Sequence, residues 1–187
     1  MADPRYASRF RYLDAADVDD AVVRFEGLDV VDADGDRIGA IDGFVVDANA
    51  NRVNHIVVDS GGWFSSGRLL LPIGHAAVDP DRKSLRTDVT RDALRRLPEF
   101  DSERFSKFTD EELHAFERHT VIACCPDQPL EEVSTPNWGY ESWDHYRQPE
   151  WWQMRHYAPE RLQSIDEVFA TSCSGDRLAS VIGRPDR

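Results

Sequence analysis

The chain has 187 residues, 41% of them hydrophobic and 10% aromatic, with a formal net charge of −13. That length suffices for one good core or for a small domain with extensions, and the composition is globular rather than disordered. Acids outnumber bases in each of three segments, 1–26, 27–101 and 102–187, so the sequence predicts no basic footprint for nucleic acid or anionic lipid.

Apolar runs such as Leu69-Leu70-Leu71 fall far short of the ~20 residues a membrane-spanning helix needs. The opening MADPRYASRF has no apolar region of the kind a secretory leader carries. Of the three cysteines, Cys124 and Cys125 are neighbours, and adjacent residues rarely bridge. The expectation is therefore no disulfide framework and a reducing cytoplasm. Arg outnumbers Lys and Asp outnumbers Glu, a bias of GC-rich or salt-adapted sources.

Residues 1–26, with their DAADVDD stretch, read as a polar N-terminal extension holding one short helix. Residues 27–101 read as a turn-punctuated β-domain. A strand over 28–31 leads to Asp32-Ala33-Asp34-Gly35-Asp36, and Asp-Gly is a strong hairpin signal. A second strand over 38–46 contains Gly39 and Gly43, which mark bulges or tight bends. After the turn 47–51 comes a β-branched strand over 53–59. Ser60-Gly61-Gly62 opens a loop through Trp63 and Phe64 to Gly67. Strands over 68–72, 76–79 and 84–87 follow. Six short strands at this spacing predict a small antiparallel barrel, the economical way to remove sheet edges.

The period then changes. Thr90 is a good N-cap for a helix over 90–97 that Pro98 stops. Residues 102–187 form a helical or irregular, aromatic-rich C-terminal extension. Thr109 and Glu112 make a capping box, and that helix ends at Cys124-Cys125-Pro126. Pro149 and Pro159 suit first helical positions, and Leu162, Ile165, Val168 and Phe169 recur at helical spacing.

The barrel segment resembles the PRC-barrel family, named for the cytoplasmic domain of the photosynthetic reaction-centre H subunit and shared with a ribosome-maturation factor. The residues that carry the likeness keep the family's order. They are Val30-Val31-Asp32 before the Asp-Gly turn, Arg37-Ile38-Gly39, and Phe44-Val45-Val46-Asp47 with Arg52-Val53. Gly61-Gly62-Trp63-Phe64 leads on to Leu70-Leu71-Pro72-Ile73, and a Leu-Pro-Glu-Phe segment ends at Phe100. The chain lacks the H subunit's membrane helix and the ribosome factor's basic character. It looks most like the family's soluble bacterial branch. The resemblance implies a binding or assembly module in the cytoplasm, without catalysis or cofactor, meeting an unidentified protein partner or a second copy of itself. Two other classes stay open. One is a small-ligand binder or enzyme with a pocket between barrel and C-terminal segment. The other is an accessory to a photosynthetic electron-transfer complex.

The candidate chemistry is sparse. Asp32, Asp34 and Asp36 suggest a calcium loop, but the sixth and twelfth positions hold Arg37 and Gly43 instead of Gly and Glu. A hairpin turn is the better reading. His114 and His119 stand five apart, which separates them on a helix, and no C-x-x-C accompanies Cys124 and Cys125. The spacing thus predicts no zinc and no calcium. No G-x-S-x-G elbow or phosphate-binding glycine loop is present. His75 reads as a hydrogen-bonding residue at the barrel rim. Arg68 suits an acidic partner or a local aspartate. The interaction candidates are Trp63, Phe64 and Arg68, with Trp138, Trp143, Trp151 and Trp152 among the C-terminal aromatics. Aromatics are enriched at interfaces, and the competing reading for the C-terminal ones is an auxiliary core on the barrel.

Overall fold

A computed structural model describes residues 9–19, 23–62, 67–124, 144–153 and 157–170. Among these residues seven strands are present: β1 Phe10–Asp14, β2 Asp29–Val31, β3 Arg37–Asp47, β4 Arg52–Asp59, β5 Arg68–Pro72, β6 Ala76–Asp79 and β7 Ser84–Thr87. The helices among the described residues are α1 Arg91–Leu94, α2 Ser102–Ser106, α3 Asp110–Cys124, α4 Glu150–Gln153 and α5 Ile165–Ala170.

The turns are built by aspartates. Asp32 Oδ1 accepts the backbone N–H groups of Asp34 and Asp36, and Gly35 takes φ 92°. Asp47 accepts from Asn49 and Ala50, and Asp79 from Asp81 and Arg82. A short acceptor that mimics a backbone carbonyl sets such turns. Asp32 therefore belongs to a hairpin, as the failed calcium pattern indicated.

β3 organises the sheet. It pairs antiparallel with β4 on one side, and β2 and β1 share its other side at Arg37–Ala40 and Gly43–Asp47 respectively. The β3–β4 register slips between Ile41 and Gly43 and again between Val45 and Val46. These irregularities bend the strand where a second glycine was expected to. A Cβ at Gly43 would collide with the Tyr12 ring and the Leu13 carbonyl, and one at Gly39 with the Asp59 carbonyl.

All six expected strands form, and the structure corrects three readings. The hydrogen-bonded order is β5-β4-β3-β2-β7-β6, with no ladder between β5 and β6, so the sheet is not closed into a barrel. Pro72 has no N–H to donate, and the 3-10 turn at 73–75 sends the chain onto β7 instead. The sheet is also not purely antiparallel, because β2 and β7 pair in parallel. The polar N-terminal segment contributes strand β1, with only a 3-10 turn at 15–17. The strand was hidden because Arg9 and Arg11 interrupt Phe10, Tyr12 and Leu13.

Both faces of the sheet are covered. Leu13, Phe44, Ile56, Val58, Leu69 and Leu71 point into one cluster, which Trp152 joins. Tyr12, Val45, Val57 and Leu70 point into the other, beneath Phe105, Phe116 and Phe169. This two-sided burial explains why β4 and β5 read as continuous apolar runs instead of alternating.

The helices begin where their caps predict. Thr90 Oγ1 accepts the Ala93 N–H, but α1 is only one turn long and continues as i→i+3 turns to Leu97. Thr109 and Glu112 cap α3 reciprocally, at 3.3 Å from the Glu112 N–H to Thr109 Oγ1 and 2.9 Å from the Thr109 N–H to Glu112 Oε2. Among the described residues no helix is long and apolar enough to cross a membrane.

Candidate functional site

Three segments distant in sequence meet at one point. They are the 73–75 turn after β5, the last residue of α3, and the 3-10 turn at 144–146. His75 is held twice by Asp88. Its carbonyl accepts the Asp88 N–H at 3.2 Å, and its Nδ1 lies 2.6 Å from Asp88 Oδ1. A carboxylate can only accept, so His75 Nδ1 is the donor to Asp88, and in the neutral ring Nε2 is then the acceptor. That Nε2 lies 2.5 Å from Nδ1 of His145, with ring centroids 4.6 Å apart. The His145 Nδ1–H therefore donates to His75. His145 is 2% exposed. Cys124 completes the group: His75, Cys124 and His145 each offer one ligand atom, and these lie within 4.8 Å of one another.

The 144–146 turn is anchored to β4. Arg52 Nη2 donates to the Tyr146 carbonyl at 3.1 Å. The Gln148 side chain exchanges bonds with the Val53 backbone, donating at 2.8 Å and accepting at 3.2 Å. His145 is thus positioned by a strand of the sheet although it comes from the C-terminal segment.

Beside this group lies a sealed polar set. Tyr146 Oη is 3.4 Å from His55 Nε2. His55 is fully buried, its Nδ1 has no hydrogen-bond partner among the described residues, and burial pushes its pKa down to about 3. The ring is neutral throughout the physiological range. Phe105, Phe116 and Tyr146 meet it edge-on. Both carboxylate oxygens of Glu117 are buried without a hydrogen-bond partner among the described residues. Burial drives the Glu117 pKa well up, and the Arg9 charge opposes this. The Tyr146 hydroxyl is pushed up by burial first, then by Glu117 and Cys124.

The residues singled out by sequence fall in different places. Trp63, Phe64, Trp138 and Trp143 lie outside the described residues. Arg68 pairs with Asp42 at 3.2 Å and lies over the Phe169 ring at 4.6 Å. Trp151 is partly buried, donates to the Ala76 carbonyl and stacks 5.5 Å from Phe25. Trp152 is 6% exposed and sits 4.9 Å from Phe44. These two tryptophans therefore pack on the sheet as core. His114 and His119 are exposed on α3, away from the cluster that Cys124 joins. Asp88 and His145 carried no sequence signal. His145 stands 70 positions from its partner His75, beyond any local motif.

Residues 18–94 match the family model of the PRC-barrel domain. His75 and Asp88 lie within that match, and Cys124 and His145 lie beyond it. A Deinococcus radiodurans protein described as "Uncharacterized protein" is 27% identical over 147 residues, which is 79% of this chain and 44% of the relative. The chain thus spans less than half the length of that relative. The alignment is longer than the family match, so the likeness reaches into the extensions.

Proposed function

We propose that this chain, which carries a PRC-barrel domain over residues 18–94, is a non-catalytic interaction and assembly module. It works in the cytoplasm through protein–protein contact, as a homodimer. The observation that carries this reading is the built base of the 61–67 loop. Asp59 Oδ1 accepts the Gly61 N–H, and the backbone and hydroxyl of Ser60 both donate to the Gly67 carbonyl. Gly61, Gly62 and Gly67 take φ of 63°, 95° and 71°, a backbone conformation that only glycine adopts readily. The sequence places Trp63 and Phe64 between these fixed ends. A connection needed only to join two strands is about two to five polar residues, and two large apolar side chains there call for a cover.

The absence of a reaction in this reading rests on how the titratable groups are used. The aspartates at turns serve backbone N–H groups, and His55, Glu117 and Tyr146 are enclosed by apolar neighbours. With a net charge of −13, nucleic acid is not a partner. The test is the double variant Trp63→Ser/Phe64→Ser, with mass measured by light scattering after gel filtration. The expected outcome is a dimeric wild type and a folded, monomeric variant of nearly unchanged melting temperature. A variant that stays folded with unchanged mass sinks the reading, and one that unfolds makes the loop part of the core.

A second reading, a small-ligand binder at the junction of sheet and C-terminal segment, is favoured by the convergence of His75, Asp88, Cys124 and His145 there. The chemistry of that ligand follows.

A further inference from the structure

The geometry points to a transition-metal site formed by His75 Nε2, His145 Nδ1 and Cys124 Sγ, with Zn²⁺ as the ion it takes. Two imidazoles and one thiolate are borderline-to-soft donors, the set that selects zinc over calcium or magnesium. The three donors come from three separate segments and still fall within 4.8 Å of one another. Asp88 supplies what a ligating histidine ordinarily has, a carboxylate on its other ring nitrogen that fixes the tautomer and raises basicity.

The present spacing fits the ion with small movements. Zinc–nitrogen bonds of about 2.0–2.1 Å and zinc–sulfur bonds of about 2.3 Å put tetrahedral nitrogens about 3.3 Å apart and nitrogen–sulfur pairs about 3.6 Å apart. The His75 and His145 nitrogens, now at 2.5 Å, part by under about 1 Å on this scale. The thiol, within 4.8 Å of the nitrogens, closes in by up to about 1.2 Å. Side-chain torsions cover both movements. In the metal-free pair a proton on His145 Nδ1 bridges the rings, and the ion takes that proton's place.

Binding is balanced in protons. His145 gives up its Nδ1 proton and takes the Nε2–H tautomer, so the ring stays neutral. The Cys124 thiol loses its proton to solvent as the sulfur–metal bond forms. Three protein ligands leave the fourth position to water. The consequence is structural: the ion ties the β5–β6 turn, the end of α3 and the 144–146 turn together. Two of these lie outside the residues matched by the family model, so the site belongs to this chain's extension and not to the barrel alone. It is independent of the loop proposed as a contact.

The test uses the full chain, stripped with chelator and titrated with Co²⁺ alone under reducing conditions, followed by Zn²⁺ alone. The expected result is one Co²⁺ per chain with a thiolate-to-cobalt charge-transfer band, abolished when Zn²⁺ displaces it, and a melting temperature that rises with Zn²⁺. Cys124→Ser removes the band. His75→Gln and His145→Gln weaken binding at least tenfold. Asp88 is exposed, so Asp88→Asn keeps the fold and weakens binding about tenfold through His75. A wild type without the charge-transfer band overturns the site. So does a band that survives unchanged affinity in His75→Gln, His145→Gln and Asp88→Asn, since the thiolate would then be binding metal without the histidines. If Cys124→Ser fails to fold, the wild-type stoichiometry and the Asp88→Asn affinity decide the matter.

Discussion

The two hydrophobic clusters lie on opposite faces of the same strands, yet they are made differently. The inner cluster is mostly aliphatic, with Val30, Ile38, Ile41, Val46, Val53, Ile56, Val58, Leu69, Leu71 and Leu85 around Phe25, Phe44 and Trp152. The outer cluster is largely aromatic, with Phe10, Tyr12, Phe100, Phe105, Phe116 and Phe169 among its few members. Side chains projecting from strands that curve around one another fill the inner volume densely, and branched aliphatics suit that task. Outside, three helices of modest length must cover a broad sheet face. Flat rings cover more area per residue, and here they meet mostly edge to face, at 5.2 to 5.8 Å, near the favoured aromatic arrangement. Two buried polar residues, His55 and Glu117, lie under the helices of the outer side.

The largest expected effect tests the inner against the outer layer. Phe44→Ala should cost about 3–5 kcal/mol, because its fully buried ring packs against Phe25 and Trp152 and its removal leaves a cavity in the inner layer. Phe105→Ala should cost less, since the five-residue helix α2 can settle onto the sheet. Denaturant midpoints of the two variants measure this, and a greater loss at Phe105 would reverse the comparison.

Next comes the pH dependence of the outer layer. His55 is lowered from 6.5 to about 3 in the folded state, so between those values the unfolded chain binds more protons. Its contribution is present above pH 6.5 and is lost as pH falls towards 3, on the order of 2–3 kcal/mol by pH 4.5. Glu117 acts in the opposite sense. Its folded pKa is raised above 4.5, so its contribution is present below pH 4.5 and is lost as pH rises through the folded value. Replacing His55 by Phe should remove the loss on acidification and leave stability falling with rising pH. Urea melts from pH 4.5 to 7.5 would show whether the slope changes sign. An unchanged slope would mean that His55 is not the titrating group.

A smaller effect belongs to the seam where β1 pairs with β3. Gly43→Ala should destabilise by about 1–3 kcal/mol, because the added methyl meets the Tyr12 ring and the Leu13 carbonyl, and overpacking against backbone has no cheap relief. Gly35→Ala meets no atom but strains a φ of 92°, so comparing the two separates steric from conformational cost. The smallest effect is at the outer layer's rim. Thr109→Ala removes the cap of α3 and should cost about 1 kcal/mol, read as a modest fall in melting temperature with the sheet intact. A loss as large as that of Phe44→Ala would mean that α3 governs the inner layer as well.

Much of the sheet was legible in the chain. Each of the six strands from β2 to β7 is bracketed by Asp, Asn, Gly or Pro turns whose side chains act locally, as Asp32, Asp47 and Asp79 do. The caps at Thr90 and Thr109 were legible for the same reason: donor and acceptor stand three residues apart. Turns, caps and helix starts are short-range hydrogen-bonding problems, and a sequence states them in full.

What the tertiary structure alone decided involves residues whose partners are far away. Strand β1 forms because β3 offers it an edge at Gly43–Asp47, not because its own alternation is strong. The parallel β2–β7 pair and the missing β5–β6 ladder follow from how the whole sheet curves, which no local window records. Trp152 became core because Phe44 waits on the inner face. The meeting of His75, Asp88, Cys124 and His145 has the same origin. Each is unremarked in its own neighbourhood, and only the packing of the C-terminal segment against the sheet brings His75, Cys124 and His145 into one donor set, with Asp88 holding His75 from behind.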